Sequence, residues 1–579
     1  MFIIDRKSIR IVFLLVVLLG ARVPGADAGT IDALNAENLY VSGRIVNSHG
    51  EAIPDVSVTL TVTETDAPVK ETILTDESGR YEFKVLFPAG RLQKARILLE
   101  ARKSAYAPSV RISLLPIRAS IDALASSLYL AEANLTLMRV ASPALWISGA
   151  VLLFVYVMIG FELVHRTLAA LTGAALLLGC SYLVGPFYPE FKIISFEIAA
   201  RAVDLNVILL LFSMMMIVGV CEKTGMFQWL AHRCYRISGG RVPLLAAGLM
   251  ILTAVTSSLL DNVTTMLLII PVTIRIARSL GLNPIALMVP EVFASNVGGT
   301  ATLIGDPPNI MIGSYTGLSF LDFGLNLGPP CLLVMAVSVI YFLLYYARDY
   351  RDAGKAFDGN HSEPAIDFTI EDRRLLFFCL VSLAITIALF LLHGMLEMAP
   401  GIAALIGATV LLISVGRRVD IVELLETKVE WSSLVFFAAL FTVIAAAQES
   451  GLIHLIADGV KSVSGDSLIV AVLMILWVSA LASAIIDNIP YTATMLPVVA
   501  YLTATVPGAQ NGVLWWALAM GACLGGNGTL IGASANVVTA GMAEKAGHPI
   551  SFVKYLRICL PPMILSIAVC TIWILGMEV

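Results

Sequence analysis

One sequence pattern occurs twice in this chain, as S-S-L-L-D-N-V-T-T-M-L-L-I-I-P-V (Ser257–Val272) and as S-A-I-I-D-N-I-P-Y-T-A-T-M-L-P-V (Ser483–Val498). In both copies an Asp-Asn pair follows a short apolar run, and a proline comes 10 residues after the aspartate. The paired residues are Asp261-Asn262 and Asp487-Asn488, 226 positions apart. A pattern of this length, repeated in one register, predicts an internal duplication of the fold.

A second duplicated segment keeps nearly the same spacing. G-G-T-A-T-L-I-G at residues 298–305 closes on Asn309, and G-G-N-G-T-L-I-G at residues 525–532 closes on Asn536, an offset of 227. Farther upstream the pairs are Glu222 with Glu449 and Gly225 with Gly451. The register therefore holds across three elements. The glycine-rich segments cannot be regular helix throughout, so each copy is predicted to contain a broken helix.

The composition places the chain in a membrane. It has 579 residues, of which 58% are hydrophobic and 14% are charged. Many apolar stretches approach the roughly 20 residues that cross a bilayer, so we predict a polytopic α-helical membrane protein. The eight cysteines form no CxxC pair, which predicts neither a disulfide framework nor a structural zinc site. We find no G-x-x-x-x-G-K-[ST], HExxH or G-x-S-x-G motif, so ATP, nucleic acid and enzymatic chemistry are not expected.

The first residues fit a secretory signal. Basic residues precede an apolar run at residues 11–20, and A-D-A at residues 26–28 is a cleavage motif. We expect residues 1–28 to be a signal peptide, with an uncleaved signal anchor as the alternative because flanking apolar residues could lengthen the run.

Residues 30–142 are polar and alternate like strands, which predicts a small antiparallel β-sandwich outside the cytoplasm. The segments V-S-G-R-I-V-N-S-H-G-E-A-I-P-D-V-S-V-T-L and T-D-E-S-G-R-Y-E-F-K-V resemble carboxypeptidase-regulatory-like, transthyretin-type domains. Most members of that family are not catalytic, and this segment shows no nucleophile, base and orienting group. We therefore interpret it as a folding or contact domain.

Basic residues predict how the membrane part is oriented, because short cytoplasmic loops retain Lys and Arg. Eighteen lie in the loops assigned to the inside, against Lys192, Arg201 and Lys461 outside. This distribution requires residues 243–277 to enter and leave on the cytoplasmic side and residues 468–502 to do so outside. Both are interpreted as re-entrant hairpins. The loop charges alone do not exclude the alternative that both halves of each hairpin cross the membrane completely. The internal repeat favours re-entrant hairpins.

The two copies are predicted to be inverted. Repeat 1 covers residues 143–346, a cytoplasmic linker covers residues 347–374, and repeat 2 covers residues 375–579. Because the first copy starts outside and the second starts after the basic linker, equivalent elements cross the bilayer in opposite directions. Inverted repeats with interrupted helices are how many secondary transporters build one site that either face can reach.

The aspartates at the hairpin tips lie within apolar runs, where an ionised carboxylate costs several kcal/mol unless it faces a cavity, an ion or a partner. The alternative is that each one only caps the following helix. Backbone carbonyls that are freed from helical hydrogen bonds at the breaks can bind cations, and freed N–H groups can bind anions. The breaks therefore do not determine whether the substrate is positively or negatively charged. Two carboxylates brought together favour sodium or protons over an anion.

Residues of the tips and breaks form the predicted ion or substrate site. They are Asp261, Asn262, Thr264, Gly298, Gly299, Thr300, Thr302, Asn309, Asp487, Asn488, Thr492, Gly525, Gly526, Asn527, Thr529 and Asn536. The candidate proton carriers are Asp261, Asp487, Glu291 and Asp306, and sodium is the candidate metal at the Asp-Asn tips. Glu291 and Asp306 have no acidic counterpart in the second copy, where Leu518 and Ala533 occupy the equivalent positions. The alternative interpretation is that both are merely interfacial residues.

These motifs, with N-V-G-G-T-A-T-L-I-G-D-P-P-N and A-C-L-G-G-N-G-T-L-I-G-A-S-A-N-V-V, resemble the ArsB/NhaD and citrate-transporter-like members of the ion transporter superfamily. Within that superfamily, they resemble the P-protein group of oculocutaneous albinism. The resemblance covers roughly residues 143–579 and implies an elevator-type homodimer. Dicarboxylate relatives carry Ser-Asn-Thr at the tips, whereas this chain carries Asp-Asn, which moves the expectation toward sodium–proton exchange. The P-protein group is associated with anion conductance and organellar pH, so an anion stays an alternative.

Three functional hypotheses follow. The first is a secondary transporter of small ions, either a sodium–proton antiporter or a sodium-coupled carrier, with no cofactor besides the coupling ion. The second is a pathway for chloride or an organic anion. The third is a receptor or assembly protein acting through the external β domain. The expected location is the plasma membrane in a bacterium or an organellar membrane in a eukaryote.

Overall fold

The computed structural model describes residues 36–47, 52–54, 56–63, 69–88, 96–103, 106, 112–114, 117–119, 128–137, 142–239, 241–357, 370 and 372–578. The chain divides into two units, Met1–Val140 and Ala141–Val579. The predicted signal segment, residues 1–28, lies outside the described residues, as do residues 358–369 of the predicted linker.

The first unit is a β-sandwich. Its strands are β1 (Ala36–Asn47), β2 (Ser57–Thr63), β3 (Val69–Leu74), β4 (Arg80–Pro88), β5 (Arg96–Arg102), β6 (Ile112–Leu114), β7 (Ile117–Ala119), β8 (Leu128–Glu132) and β9 (Leu135–Leu137). One sheet has the order β4-β1-β8-β7 with β9 also on β1, and the other has the order β3-β2-β5-β6. Alternate residues of both sheets, among them Val41 and Leu60, bury into one core.

The prediction of a wholly antiparallel sandwich was wrong for one sheet. Strand β1 pairs antiparallel with β4 but parallel with β8 and β9. A parallel pair needs a long connection, and the whole of the second sheet lies between β1 and β8 in sequence. Local alternation cannot reveal such a pairing, because it fixes the buried face and leaves the partner strand open.

The second unit is helical and starts with a series of ten helices. They are α1 (Pro143–Gly160), α2 (Arg166–Gly179), α3 (Phe196–Ala202), α4 (Leu205–Glu222), α5 (Met226–Ser238), α6 (Val242–Ser257), α7 (Asn262–Ser279), α8 (Ile285–Thr300), α9 (Pro307–Thr316) and α10 (Phe320–Tyr345). A π-helical turn, Cys180–Val184, extends α2, and a further helix, α11 (Ala347–Phe357), follows the series.

A second series repeats this order. It consists of α12 (Arg373–Leu392), α13 (Pro400–Val415), α14 (Ile421–Thr427), α15 (Trp431–Glu449), α16 (Leu452–Ser464), α17 (Leu468–Ile485), α18 (Asn488–Thr505), α19 (Val513–Gly525), α20 (Ser534–Lys545) and α21 (Phe552–Glu578). Among the described residues, eight helices are long and apolar enough to cross a membrane. Their surfaces carry many exposed large apolar side chains, which suits a lipid environment.

The duplicated glycines mark equivalent corners in the two series. Gly225 precedes α5 with φ +73°, and Gly451 precedes α16 with φ +87°. This left-handed backbone is costly for residues with a Cβ, so glycine allows the chain to turn from α4 into α5 and from α15 into α16. The shared turns position the two hairpins, α6–α7 and α17–α18, that follow.

Candidate functional site

Both Asp-Asn pairs lie at the start of a helix that follows a short break. Asp261 precedes α7, and its side chain accepts a hydrogen bond from the Thr264 N–H at 2.9 Å. Asp487 precedes α18, and its Oδ1 accepts from the Ile489 N–H at 3.0 Å. Each aspartate therefore caps its helix, and one carboxylate oxygen of each remains for other contacts.

The first broken helix lies between α8 and α9. Helix α8 continues through Gly298 and Gly299 to Thr300, and regular structure resumes at Pro307. Across the gap, Asn309 Nδ2 donates to the carbonyl oxygens of Thr300 at 2.9 Å and Thr302 at 2.8 Å, with a longer contact of 3.4 Å to Gly299. The closing asparagine thus satisfies carbonyls that the break frees from the helix.

The second broken helix repeats this arrangement. Helix α19 ends at Gly525, one 3₁₀ turn covers Gly526–Gly528, and α20 begins at Ser534. Here Asn536 Nδ2 donates to the carbonyl oxygens of Gly526 at 2.8 Å and Thr529 at 2.9 Å. A carbonyl oxygen has two lone pairs, so each of these carbonyls keeps the capacity to bind a cation.

Each break is attached to the hairpin of its own series. The Thr302 hydroxyl donates to the Ser258 carbonyl oxygen at 2.6 Å, and the Thr529 hydroxyl donates to the Ala484 carbonyl oxygen. The backbones also approach closely, because a Cβ on Gly298 or Gly525 would overlap the carbonyl oxygen of Ala254 or Ala480. These two glycines therefore serve packing between helices.

Four helix N-termini meet at one cavity of about 50 Å³, several times the roughly 10–15 Å³ that a single water molecule needs. Residues from the first turn of α7, α9, α18 and α20 line it, together with side chains of α4 and α15. The lining residues are Arg166, Leu211, Met215, Asp261, Asn262, Val263, Asp306, Pro307, Glu430, Ser433, Phe437, Asn488, Ile489, Ala533, Ser534 and Ala535. The cavity therefore lies where the two hairpin tips and the two broken helices converge.

Acidic side chains outnumber basic ones at this cavity. Asp261, Asp306 and Glu430 line it, and Arg166 is the only basic residue among the described lining residues. Asp306 is buried and accepts from Asn488 Nδ2 at 3.3 Å on both carboxylate oxygens, so an acid of the first series contacts the tip of the second. Such a site holds excess negative charge unless cations or protons occupy it.

Arg166, Glu430, Ser433 and Ser534 were missing from the sequence prediction. Arg166 Nη1 donates to Ser534 Oγ at 2.6 Å, and its Nη2 donates to Ser433 Oγ at 2.8 Å. The Ser433 hydroxyl donates to Glu430 at 2.9 Å, and the Ser534 hydroxyl donates to Asp487 at 3.2 Å. Arg166 is one of the eighteen basic residues assigned to cytoplasmic loops. Arg166 is 267 residues from Ser433 and 368 from Ser534, so no local motif marks these contacts.

A network of asparagines connects the two series beside the cavity. Asn296 Nδ2 donates to Asn527 Oδ1 at 2.9 Å and to Asn536 Oδ1 at 3.1 Å. All three side chains are buried, and Asn296 Oδ1 has no hydrogen-bond partner among the described residues. The Cys523 thiol donates to Asn309 Oδ1 at 3.5 Å at the equivalent position of the other series. Asn296 was also missing from the sequence prediction.

Other predicted site residues lie outside the cavity lining. Glu291 is fully buried in α8, where its carboxylate accepts from the Thr273 hydroxyl at 2.9 Å. The Thr300 hydroxyl donates to the Asn296 carbonyl oxygen at 2.7 Å, and the Thr492 hydroxyl is buried without a partner among the described residues. Of the two candidate proton carriers unique to the first copy, only Asp306 therefore reaches the cavity.

The described residues contain no group of three or more His, Cys, Asp or Glu side chains arranged to hold a metal ion. A sodium site at the tips would instead combine a carboxylate with amide and backbone oxygens. Asp261, Asn262 and Asn488 supply such side-chain oxygens at the cavity, and oxygen ligands are those that hard cations prefer.

The comparison with known families gives one match over most of the helical unit. The profile of the citrate transporter family, CitMHS, matches residues 156–521. An uncharacterized transporter of Mycobacterium tuberculosis is 40% identical over 430 residues, which cover 73% of this chain and 97% of that protein. The human P protein is 35% identical over 502 residues, which cover 74% of this chain and 59% of that protein.

One solved structure gives support for the fold alone. The YdaH transporter of Alcanivorax borkumensis superposes with a TM-score of 0.51 and 16% sequence identity. The alignment covers 71% of this chain and 98% of that one. The family profile and the P-protein match confirm the resemblance that the duplicated motifs indicated, to citrate-transporter-like proteins and the P-protein group.

Proposed function

The chain belongs to the citrate transporter family of membrane transporters, and from this premise we propose that it carries a small cation by secondary transport, with sodium–proton exchange as the leading reaction. A sodium-coupled carrier is the closely related form of the proposal. The observation that carries it is the charge at the cavity, where Asp261, Asp306 and Glu430 are offset by Arg166 alone among the described lining residues. An incoming cation, or protons, would neutralise the excess.

The proposed mechanism uses the duplication. We infer that the two helix series are inverted, so that one hairpin approaches the site from each side of the membrane. Movement of the hairpins and broken helices as a unit against the remaining helices would expose the site alternately, as in an elevator. Support comes from the matched element order, the loop charges and the meeting of both tips at one cavity. The homodimer implied by the family resemblance belongs to this proposal.

The proposed orientation follows the basic loops. The β unit would lie outside the cytoplasm or in a lumen, and the segment at residues 347–374 would lie in the cytoplasm. Both hairpins would then be re-entrant, the first from the cytoplasmic side and the second from the opposite side.

An anion carrier is the second candidate, and a specific observation favours it. The helix N-termini of α7, α9, α18 and α20 reach the cavity, where Arg166 adds a positive charge. Helix N-termini and arginine bind carboxylates well, and the family description names citrate. In this reading a cation would neutralise the acidic residues and the anion would bind beside it.

Reconstitution of the purified protein in liposomes with an internal pH dye tests the proposal. Gradients of sodium, lithium, chloride and citrate are compared for wild type and for Asp261→Asn and Asp487→Asn. Asparagine caps a helix about as well as aspartate, so these variants remove the charge and keep the helix start. We expect sodium-driven proton flux in wild type and its loss in both variants.

The matched control is Asp204→Asn. Asp204 also caps a helix, α4, through the N–H groups of Asn206 and Val207, and it does not line the cavity. Its variant should retain full flux. Unchanged flux in both tip variants would refute the site assignment, whereas citrate uptake without sodium or proton movement would favour the anion carrier.

A further inference from the structure

Arg166 occupies a position that the transport proposal does not yet explain. It is the first residue of α2 and donates to Ser433 of α15 and Ser534 of α20, so it links three helices across the cavity. Its guanidinium also lies over the Phe436 ring, 5.5 Å from the ring centroid. A single side chain thus connects elements of both helix series at the proposed site.

The contacts of Arg166 continue on both sides to a carboxylate. Through Ser433 the guanidinium reaches Glu430, and through Ser534 it reaches Asp487. Each serine accepts from the arginine and donates to the acid. The result is a chain of five polar groups in which one fixed positive charge lies between two negative ones.

We propose that Arg166 is the resident counter-cation of the empty site, and that a transported cation displaces it by taking over the neutralisation of these carboxylates. The inference rests on the proposed cation transport and names the residue that sets the apparent affinity for the cation. Arginine keeps its charge at every physiological pH, so the compensation is present whenever the site is empty.

The serine bridges make displacement feasible. No direct ion pair joins Arg166 to an acid among the described residues, and both of its cavity contacts run through hydroxyl groups. A direct bidentate arginine–carboxylate pair would be strong and geometrically fixed. Hydroxyl groups can rotate toward a new partner, so a cation can enter while Ser433 and Ser534 keep one hydrogen bond each.

The test compares Arg166→Gln with wild type in the full-length purified protein. Sodium binding is measured as the thermal stabilisation produced by a sodium titration, and sodium release is measured from loaded liposomes. Loss of the competing charge should lower the half-saturating sodium concentration on the order of tenfold and should slow release. A merely structural arginine would not produce tighter binding.

The matched control is Arg278→Gln. Arg278 Nη2 donates to the Ala546 carbonyl oxygen at 2.8 Å, so this variant also removes a guanidinium contact between distant segments, but away from the cavity lining. Its half-saturation should equal that of wild type. If Arg166→Gln does not yield a monodisperse protein, Arg166→Met supplies the test, because methionine also removes the competing charge and should tighten sodium binding in the same direction.

The outcomes separate the two proposals. Wild type that shows neither sodium stabilisation nor sodium-driven flux would contradict the proposed cation transport itself. Wild type that binds sodium while Arg166→Gln binds it equally or more weakly would overturn the counter-cation role and leave cation transport standing. Tighter sodium binding in Arg166→Gln, with Arg278→Gln unchanged, is the result that we expect.

Discussion

Asp306 is an acid of the site that the second copy lacks. The second copy has Ala533 at the equivalent position, and both residues line the cavity. In the first copy the carboxylate accepts from the amide of Asn488 at the opposite hairpin tip. The duplicated site thereby has an acid that comes from one copy and contacts the hairpin tip of the other.

Asp306→Asn should impair transport more than it impairs folding. The amide keeps the shape of the side chain and one acceptor for Asn488, but it removes the charge from a buried position. We expect the half-saturating sodium concentration to rise on the order of tenfold and proton-coupled flux to fall accordingly. Flux assays in liposomes check this.

A matched aspartate provides the control for Asp306→Asn. Asp322 lies in the first turn of α10, where it forms a capping box with Ser319, and it does not line the cavity. Asp322→Asn should leave sodium dependence unchanged. Equal sodium dependence in Asp306→Asn and wild type would exclude Asp306 from the coupling reaction.

The sequence was most informative where a residue type is unusual for the segment that contains it. An aspartate inside an apolar run or a Gly-Gly pair inside a helix stands out, and Asp261, Asn262 and Asn488 do line one cavity. Arg166 and Glu430 escaped prediction because each is an ordinary charged residue next to a helix start. Arg166 contacts Ser433, which is 267 residues away, and Glu430 joins this cluster through Ser433, so no local pattern encodes the connection.

At the scale of elements, the broken helices depend on their closing asparagines. Asn309 and Asn536 each donate one amide to several carbonyl oxygens of the preceding break. The sequence predicted where each break lies, since both helices end in or next to the glycine-rich segments. The sequence did not predict that these amides bind the freed carbonyls. Every residue has a backbone carbonyl oxygen, so residue type does not show which ones an asparagine side chain will contact.

Asn536→Asp should therefore destabilise the second break. The substitution keeps the size of the side chain but replaces the donor with an acceptor that faces the carbonyls of Gly526 and Thr529. Leaving such buried groups unsatisfied costs about 1–3 kcal/mol, and a charge there costs more. We expect a lower apparent melting temperature together with reduced flux.

The comparison for this element is Asn326→Asp. Asn326 Nδ2 donates to the Asp322 carbonyl oxygen at 2.8 Å within α10, away from the breaks and the cavity. Its melting temperature should fall less than that of Asn536→Asp. If both variants melt together with wild type, the amides do not hold the breaks.

At the scale of the molecule, each unit has a core of its own. The sandwich buries residues of both sheets in one cluster, and the helical unit buries a separate cluster. Polar alternating strands suit water and long apolar helices suit lipid, so the two kinds of segment do not pack into one core. The parallel pairing of β1 with β8 could not be predicted from the sequence, since it joins strands from opposite ends of the unit.

Deletion of residues 30–142 should leave transport intact. The cavity residues all come from the helical unit, and an independent core predicts that this unit folds without the sandwich. Sodium-driven flux per folded protein is measured in liposomes beside the melting temperature, and Asp487→Asn in the shortened chain should abolish the flux. A shortened chain that melts like wild type yet carries no flux would restore the receptor or assembly hypothesis, because the function would then depend on the external domain.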